Sequence, residues 1–244
     1  MDAIQVKGLV KRYQGFTLDN VSFNVKEGSI VGFVGINGSG KTTTLKSILS
    51  LIHPDSGYIA VMGKDVQKQE SELMIKENIG VVLDNDYFFQ KLKIKEMTSI
   101  VRSAYKHWDD KDYYRYIKAY GLSEDKKIDS LSKGMKMKYA LTLAFSHHAK
   151  ILIMDEPTSG LDPFARDEFD TIVKQFVTKE PDNSVLFSSH ITSDIEKTAS
   201  EVVFIHKGKL IFQKKMSEIN DSGKSLEEVM LGTIKEFGDE DIDD

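Results

Sequence analysis

Gly35-Ile36-Asn37-Gly38-Ser39-Gly40-Lys41-Thr42 follows directly on the apolar run Ile30-Val31-Gly32-Phe33-Val34 and leads into Thr43-Thr44-Leu45-Lys46-Ser47-Ile48-Leu49, a stretch of helical character. Strand, glycine-rich turn and helix in this order make a phosphate cradle. Glycines allow a turn tight enough for successive backbone N–H groups to converge on one anion, and the helix behind presents the positive end of its dipole to the same charge. The Lys41 ammonium is expected to reach the β- and γ-phosphates of a nucleotide, and the Thr42 hydroxyl to hold Mg²⁺. Gly35, Asn37, Gly38, Ser39, Gly40 and Thr43 complete the expected nucleotide contacts. A plain glycine-rich turn is the bland alternative, and it does not account for Lys-Thr at this offset. The cradle alone leaves kinases, GTPases, helicases and transport ATPases open.

The 244 residues, 40% of them apolar, suffice for one large α/β domain or two small ones with a sizeable core. A formal net charge of −5 supplies no overall attraction to nucleic acid or to an anionic membrane, so no nucleic-acid partner is expected. With no cysteine, disulfides and thiolate metal sites are excluded, which fits a reducing compartment. The start, Met1-Asp2-Ala3-Ile4-Gln5-Val6-Lys7, lacks the basic-then-apolar pattern of a secretory signal. No apolar run approaches the roughly 20 residues that cross a bilayer. The expectation is a soluble chain, for which a membrane role requires a separate subunit.

Alternating apolar residues at Ile4, Val6 and Leu9, and again at Phe16, Leu18, Val21, Phe23 and Val25, predict antiparallel strands ahead of the cradle. Gly57–Gly63 reads as a strand between glycine turns and Asn78–Leu83 as a buried one. From about Asp86 to Lys150 the pattern turns helical, without proline, and predicts a helical insertion. The α/β pattern resumes with a strand at Ile151–Asp155, a helix at Pro163–Thr178 opened by proline, and a strand at Ser184–Ser188. Glu201–His206 and Lys209–Phe212 form an expected hairpin around Lys207-Gly208. The boundary is set at 214: residues 1–214 form the nucleotide-binding unit, and 215–244 a helical segment with an acidic, disordered tail from Gly238 to Asp244.

Ile151-Leu152-Ile153-Met154-Asp155-Glu156 is an apolar run closed by two carboxylates. A buried parallel strand reads this way, and ligands of open α/β sheets sit beyond the strands' C-terminal ends. Asp155 is then placed to hold Mg²⁺ through water, and Glu156 to polarise an attacking water beside the γ-phosphate. Leu131-Ser132-Lys133-Gly134-Met135 lies upstream; Ser159-Gly160-Leu161-Asp162 and Ser188-Ser189-His190 follow.

This ordered set resembles the nucleotide-binding domain of ATP-binding cassette (ABC) transporters, from Ile4 to about Phe212. The resemblance implies an α/β fold: a P-loop NTPase core with a mostly parallel sheet, an N-terminal antiparallel β subdomain and an inserted helical subdomain. It matches Gly35–Thr42 to the phosphate loop and Leu131–Met135 to the family signature, in which Ser132 and Gly134 grip the ATP of an opposing protomer. Asp155 and Glu156 match the magnesium carboxylate and catalytic glutamate, Ser159–Asp162 the dimer-contact loop, His190 the switch histidine, and Tyr13 the aromatic ring under adenine. Glu156, His190 and Lys41 are thus the expected catalytic set, with ATP as ligand and Mg²⁺ as cofactor. The plainer alternatives are a strand-end polar residue for His190, a strand-packing ring for Tyr13, and an N-cap with a turn for Ser132 and Gly134.

Two departures from the family pattern stand out. Asp84 occupies the position of a usual glutamine, where it is expected to reach Mg²⁺ only through water. Lys133 and Met135 replace a common glycine and glutamine; Lys133 either adds positive charge near the γ-phosphate or points into solvent, and the solvent-facing reading is the one expected. In the family the region of Asp86–Leu92 helps receive a helix of the membrane subunit; an apolar cluster there is either that contact or the insertion's own core. The resemblance further implies a head-to-tail homodimer, or a heterodimer with a related ATPase subunit, and an integral membrane transporter subunit as partner. It implies a cytoplasmic chain, peripheral on the inner face of the membrane, that powers export of a peptide, lipid or drug as in Gram-positive exporter-type cassettes. A soluble ABC-type ATPase acting on ribosomes or DNA is the alternative, and a small-molecule kinase leaves Leu131–Met135 and Ser188–His190 unexplained.

Overall fold

The computed structural model describes residues 1–83 and 87–236. Asp84, Asp86 and the acidic stretch 238–244, singled out above, lie outside the described residues. The alternating N-terminal segments form β1 (Asp2–Tyr13) and β2 (Phe16–Lys26), paired antiparallel with Val6 opposite Phe23 and Leu9 opposite Val21. Strand β3 (Ile30–Val34) precedes the cradle and α1 (Lys41–Ile48) follows it. After α1 come β4 (Ser56–Val61) and the two-residue β5 (Lys64–Asp65), then α2 (Gln69–Asn78) and β6 (Ile79–Val82). Strands β1, β2, β4 and β5 make one antiparallel sheet in the order β2-β1-β4-β5.

The helical stretch contains α3 (Ile94–Ser103), α4 (Asp110–Ala119), a 3-10 turn at Ile128–Ser130 and α5 (Lys133–Ser146). Beyond it lie β7 (Ile151–Met154), α6 (Pro163–Lys179), β8 (Ser184–Ser189) and α7 (Thr192–Thr198). The hairpin β9 (Glu201–His206) and β10 (Lys209–Lys215) precedes α8 (Met216–Asp221) and α9 (Leu226–Glu236). The second sheet runs β10-β9-β3-β8-β7-β6, parallel except for the β9–β10 pair. Sequentially distant β3 and β7 are thereby separated by a single strand, β8.

Each central strand is buried on both faces, as its unbroken apolar run requires. Ile151 and Ile153 face a cluster shared with α1 and the antiparallel sheet, whereas Leu152 and Met154 face one built with α5 and α6. A third cluster, including Ile94, Tyr113, Ile117 and Tyr139, holds the helical region together. Helix α5 belongs to two clusters: Tyr139 and Leu143 face the helical region, while Met137, Ala140 and Ala144 pack on the main sheet. The helical character up to Lys150 therefore includes a helix that also builds the central core. Met216, Ile219 and Leu226 are buried in that same core, so α8 and the start of α9 fold with the sheet. No helix among the described residues is long and apolar enough to cross a membrane.

Candidate functional site

The cradle joins the C-terminal end of β3 to the N-terminus of α1. Gly40 occupies the N-cap with φ 110°, a region closed to ordinary side chains. A Cβ there would also lie 2.7 Å from Cδ1 of Leu18 and 3.1 Å from Cζ of Phe16, so the antiparallel sheet presses on the loop. No side chain caps α1, which leaves its leading N–H groups to an anion. Ile36, Asn37 and Gly38 are exposed at the rim and Thr43 is half-buried, while Ser39 lies beneath with its buried hydroxyl unpartnered among the described residues. The buried Lys41 ammonium donates to the carbonyls of Gly35 at 2.6 Å and Ile36 at 3.3 Å.

Two strand ends complete the arrangement. Asp155 follows β7, and its N–H donates to the carbonyl of Val82 at 2.8 Å. Its Oδ2 accepts from the Thr42 hydroxyl at 2.8 Å and its Oδ1 from the Ser188 hydroxyl at 2.6 Å. Glu156 takes a left-handed φ of 50°, strained for a residue with a side chain, and its N–H donates to Oγ of Ser188 at 2.9 Å. Its Oε2 lies 2.7 Å from Nδ1 of His190 and its Oε1 3.4 Å from the Lys41 ammonium. Lys41, Thr42, Asp155, Glu156 and His190, spread over some 150 positions of sequence, thus form one continuous contact network. Thr42 and Asp155 offer hard oxygen donors side by side, a set that suits Mg²⁺.

The remaining expected residues sit around this network. Tyr13 ends β1, is 44% exposed, and stacks on Phe16 with ring centroids 6.5 Å apart; Phe16 in turn touches the cradle at Gly40. Ser132 caps α5, its hydroxyl accepting from the N–H of Met135 at 3.2 Å, which is the contact the plainer N-cap alternative describes. Gly134 stands beside Leu161 and Ala165. Lys133 is exposed, and its stem lies against Gly160 of the loop before α6. A cavity of about 320 Å³ is lined by Leu131, Lys133 and Met137 on one side and by Asp155 and Glu156 on the other. Phe88 packs against Tyr139 at 5.0 Å inside the helical cluster, whereas Phe89 is 64% exposed, so the apolar segment there divides between core and surface.

Sequence reasoning passed over Ser188, although it lies in a segment singled out for His190. The available signal was a hydroxyl in a strand whose preceding residues, Val185-Leu186-Phe187, are all apolar.

A family model described as "ABC transporter" matches residues 18–159, more than half of the chain. A second, described as "AAA domain, putative AbiEii toxin, Type IV TA system", matches residues 126–193. The chain is 34% identical over 211 residues to the bacitracin transport ATP-binding protein BcrA of Bacillus licheniformis, covering 85% of this chain and 68% of that protein. It is 28% identical over 234 residues to the lantibiotic transport ATP-binding protein SrtF of Streptococcus pyogenes, covering 95% and 97%. A solved structure described as an ATP-binding subunit of an ABC transporter superposes with a TM-score of 0.83 at 25% identity, over 95% of this chain and 99% of that one. The chain belongs to the ABC transporter family as an ATP-binding, ATP-hydrolysing cassette.

Proposed function

We propose that this cassette powers export of a peptide, lipid or drug through a separate membrane subunit, acting at the inner membrane face as one half of a cassette pair. The observation that carries the catalytic part is the unbroken chain of contacts from Lys41 and Thr42 through Asp155 to Glu156 and His190. Export is supported by similarity to ATP-binding proteins of bacitracin and lantibiotic transport, both concerned with peptide antibiotics.

In this reading the cradle N–H groups and Lys41 bind the phosphates of ATP, and Tyr13 stacks on adenine. Thr42 and Asp155 are the residues to hold Mg²⁺, which neutralises charge on the β- and γ-phosphate oxygens when bound. Glu156 orients the attacking water and accepts its proton. Lys41 and His190 turn from Glu156 toward the γ-phosphate, so substrate binding releases the carboxylate that must act as base. Ser132 and Gly134 serve the ATP of the opposing protomer. A cavity of about 260 Å³ between the C-terminal end of α1 and the side of α2, lined by Leu49, Leu51, Ile75, Ile79, Val81 and Tyr105 together with Ser50, Glu72 and Lys76, supplies a largely apolar socket for the membrane subunit.

Affinity purification from membranes tests the assignment. An integral membrane protein is expected to co-purify with the wild type and to be lost with Leu51→Asp. Co-sedimentation with ribosomes in place of membrane association would overturn the transport reading.

A further inference from the structure

Ser188 is fully buried at the C-terminal end of β8, the strand lying between β3 and β7 in the sheet. Its α-carbon pairs with that of Phe33, two residues before the cradle begins at Gly35, and its neighbour Phe187 pairs with Met154, one residue before Asp155. Side chains alternate along a strand, so Ser188 points to the face of Leu186, which is the face covered by α1. The hydroxyl therefore emerges where the two ligand-bearing ends of the sheet meet.

A hydroxyl carries one proton and two lone pairs, and the geometry leaves no choice of direction here. The Glu156 N–H can only donate, so Oγ of Ser188 accepts at 2.9 Å. The Asp155 carboxylate can only accept, so the Ser188 proton goes to Oδ1 at 2.6 Å. Oδ1 is thereby occupied, which turns Oδ2 toward Thr42 at 2.8 Å. The same oxygen tethers the backbone of Glu156, whose φ of 50° needs support from its surroundings. Bonds linked donor to acceptor in this way polarise one another.

We infer that Ser188 is a positioning residue for ATP turnover: one buried oxygen sets the orientation of the Asp155 carboxylate and holds the backbone that aims Glu156. This rests on the ATP-site reading above. Loss of the hydroxyl leaves Oδ1 of Asp155 and the N–H of Glu156 without a partner, and both groups relax away from the geometry that suits Mg²⁺ and the attacking water. Removing partners of ligand groups in this way costs about 10–100-fold in metal affinity or activity.

The test compares Ser188→Thr with Ser188→Val, which have the same shape and differ only in the hydroxyl; Ser188→Ala is the smaller deletion. Ser184→Ala is the control, because Ser184 is equally buried at the opposite end of β8 and accepts from the Gly28 N–H. ATP affinity is titrated by calorimetry with Mg²⁺ and with EDTA, and kcat and KM are measured separately. In the Ala and Val proteins the affinity gained from Mg²⁺ is expected to shrink at least about fivefold and kcat to fall about 10–100-fold. Their affinity in EDTA stays at the wild-type value, because Lys41 and the cradle N–H groups are intact. Ser188→Thr retains both the Mg²⁺ gain and the turnover, and Ser184→Ala does not change the Mg²⁺ gain. Equal Mg²⁺ gains in the Thr and Val proteins, or an unchanged gain in Ser188→Ala, would overturn the inference alone. A wild type that gains no ATP affinity from Mg²⁺ would bring down the site reading and this inference together.

Discussion

Nδ1 of His190 lies 2.7 Å from Oε2 of Glu156. The other carboxylate oxygen faces the Lys41 ammonium at 3.4 Å, so Glu156 is engaged at both ends by groups whose proposed targets are phosphate oxygens. A base paired in this way is withheld from water until an anion draws its partners off. Glu156→Gln keeps the shape and removes the basicity. ATP binding is expected to persist while kcat falls at least about 100-fold. An ATP-bound dimer should then accumulate, visible by light scattering coupled to gel filtration. Wild-type turnover in this variant would remove Glu156 from its role.

Lys41 is buried beneath the loop with its ammonium on the Gly35 and Ile36 carbonyls, poised at the cradle floor. Lys41→Ala deletes a charge-assisted contact to phosphate and leaves Oε1 of Glu156 without its ammonium partner. Charged hydrogen bonds of about 1.5–3 kcal/mol correspond to a loss of roughly 10–100-fold in ATP affinity, measurable by calorimetry. Unchanged affinity would count against the cradle assignment.

Gly208 supports the cradle from the β9–β10 turn. Its N–H donates to the Ser39 carbonyl at 3.0 Å, its own carbonyl accepts from the Asp19 N–H at 2.8 Å, and its φ is 77°. A Cβ would fall 1.9 Å from the Thr17 carbonyl oxygen. Gly208→Ala is therefore expected to cost about 2 kcal/mol or more in urea denaturation and to weaken ATP binding by disturbing Ser39. Wild-type stability would show that the turn yields without cost.

His147 gives the fold a pH dependence remote from the phosphates. It is 4% exposed and stacked on Tyr105 at 3.8 Å, and burial lowers its pKa to about 4 from the ordinary 6.5. Between those values the unfolded chain binds a proton that the folded chain refuses, so stability rises with pH across the window. The contribution is fully present above pH 6.5 and is lost as pH falls toward 4, by at most roughly 3 kcal/mol. Urea midpoints at pH 7 and pH 5 should differ less in His147→Gln than in the wild type. Equal differences in the two proteins would mean that His147 does not titrate in this window.

Local pattern carried the strand-loop-helix around Lys41, the doubly buried strand before Asp155 and the alternating strands at the N-terminus. Burial periodicity and backbone restriction act over a few residues, so these are readable in one dimension. Helix α2 left no such trace, because Leu73 on it is 54% exposed and only Ser71 and Ile75 are buried. The seven-residue α7 is too short to show a helical period.

The sequence by itself singled out Lys41, Thr42, Asp155, Glu156 and His190 as candidates and determined on which kinds of element they stand. Only the tertiary structure decided that β8 would slot between β3 and β7, that Ser188 would bridge Asp155 and Glu156, and that Phe88 would enter the core while Phe89 faces out. The physical reason is the range of the forces involved. Backbone preference and side-chain alternation are settled between near neighbours, whereas the partner of the buried Ser188 hydroxyl stands 33 residues away and the pairing of β3 with β8 joins segments more than 100 residues apart, so both depend on joint burial of distant segments.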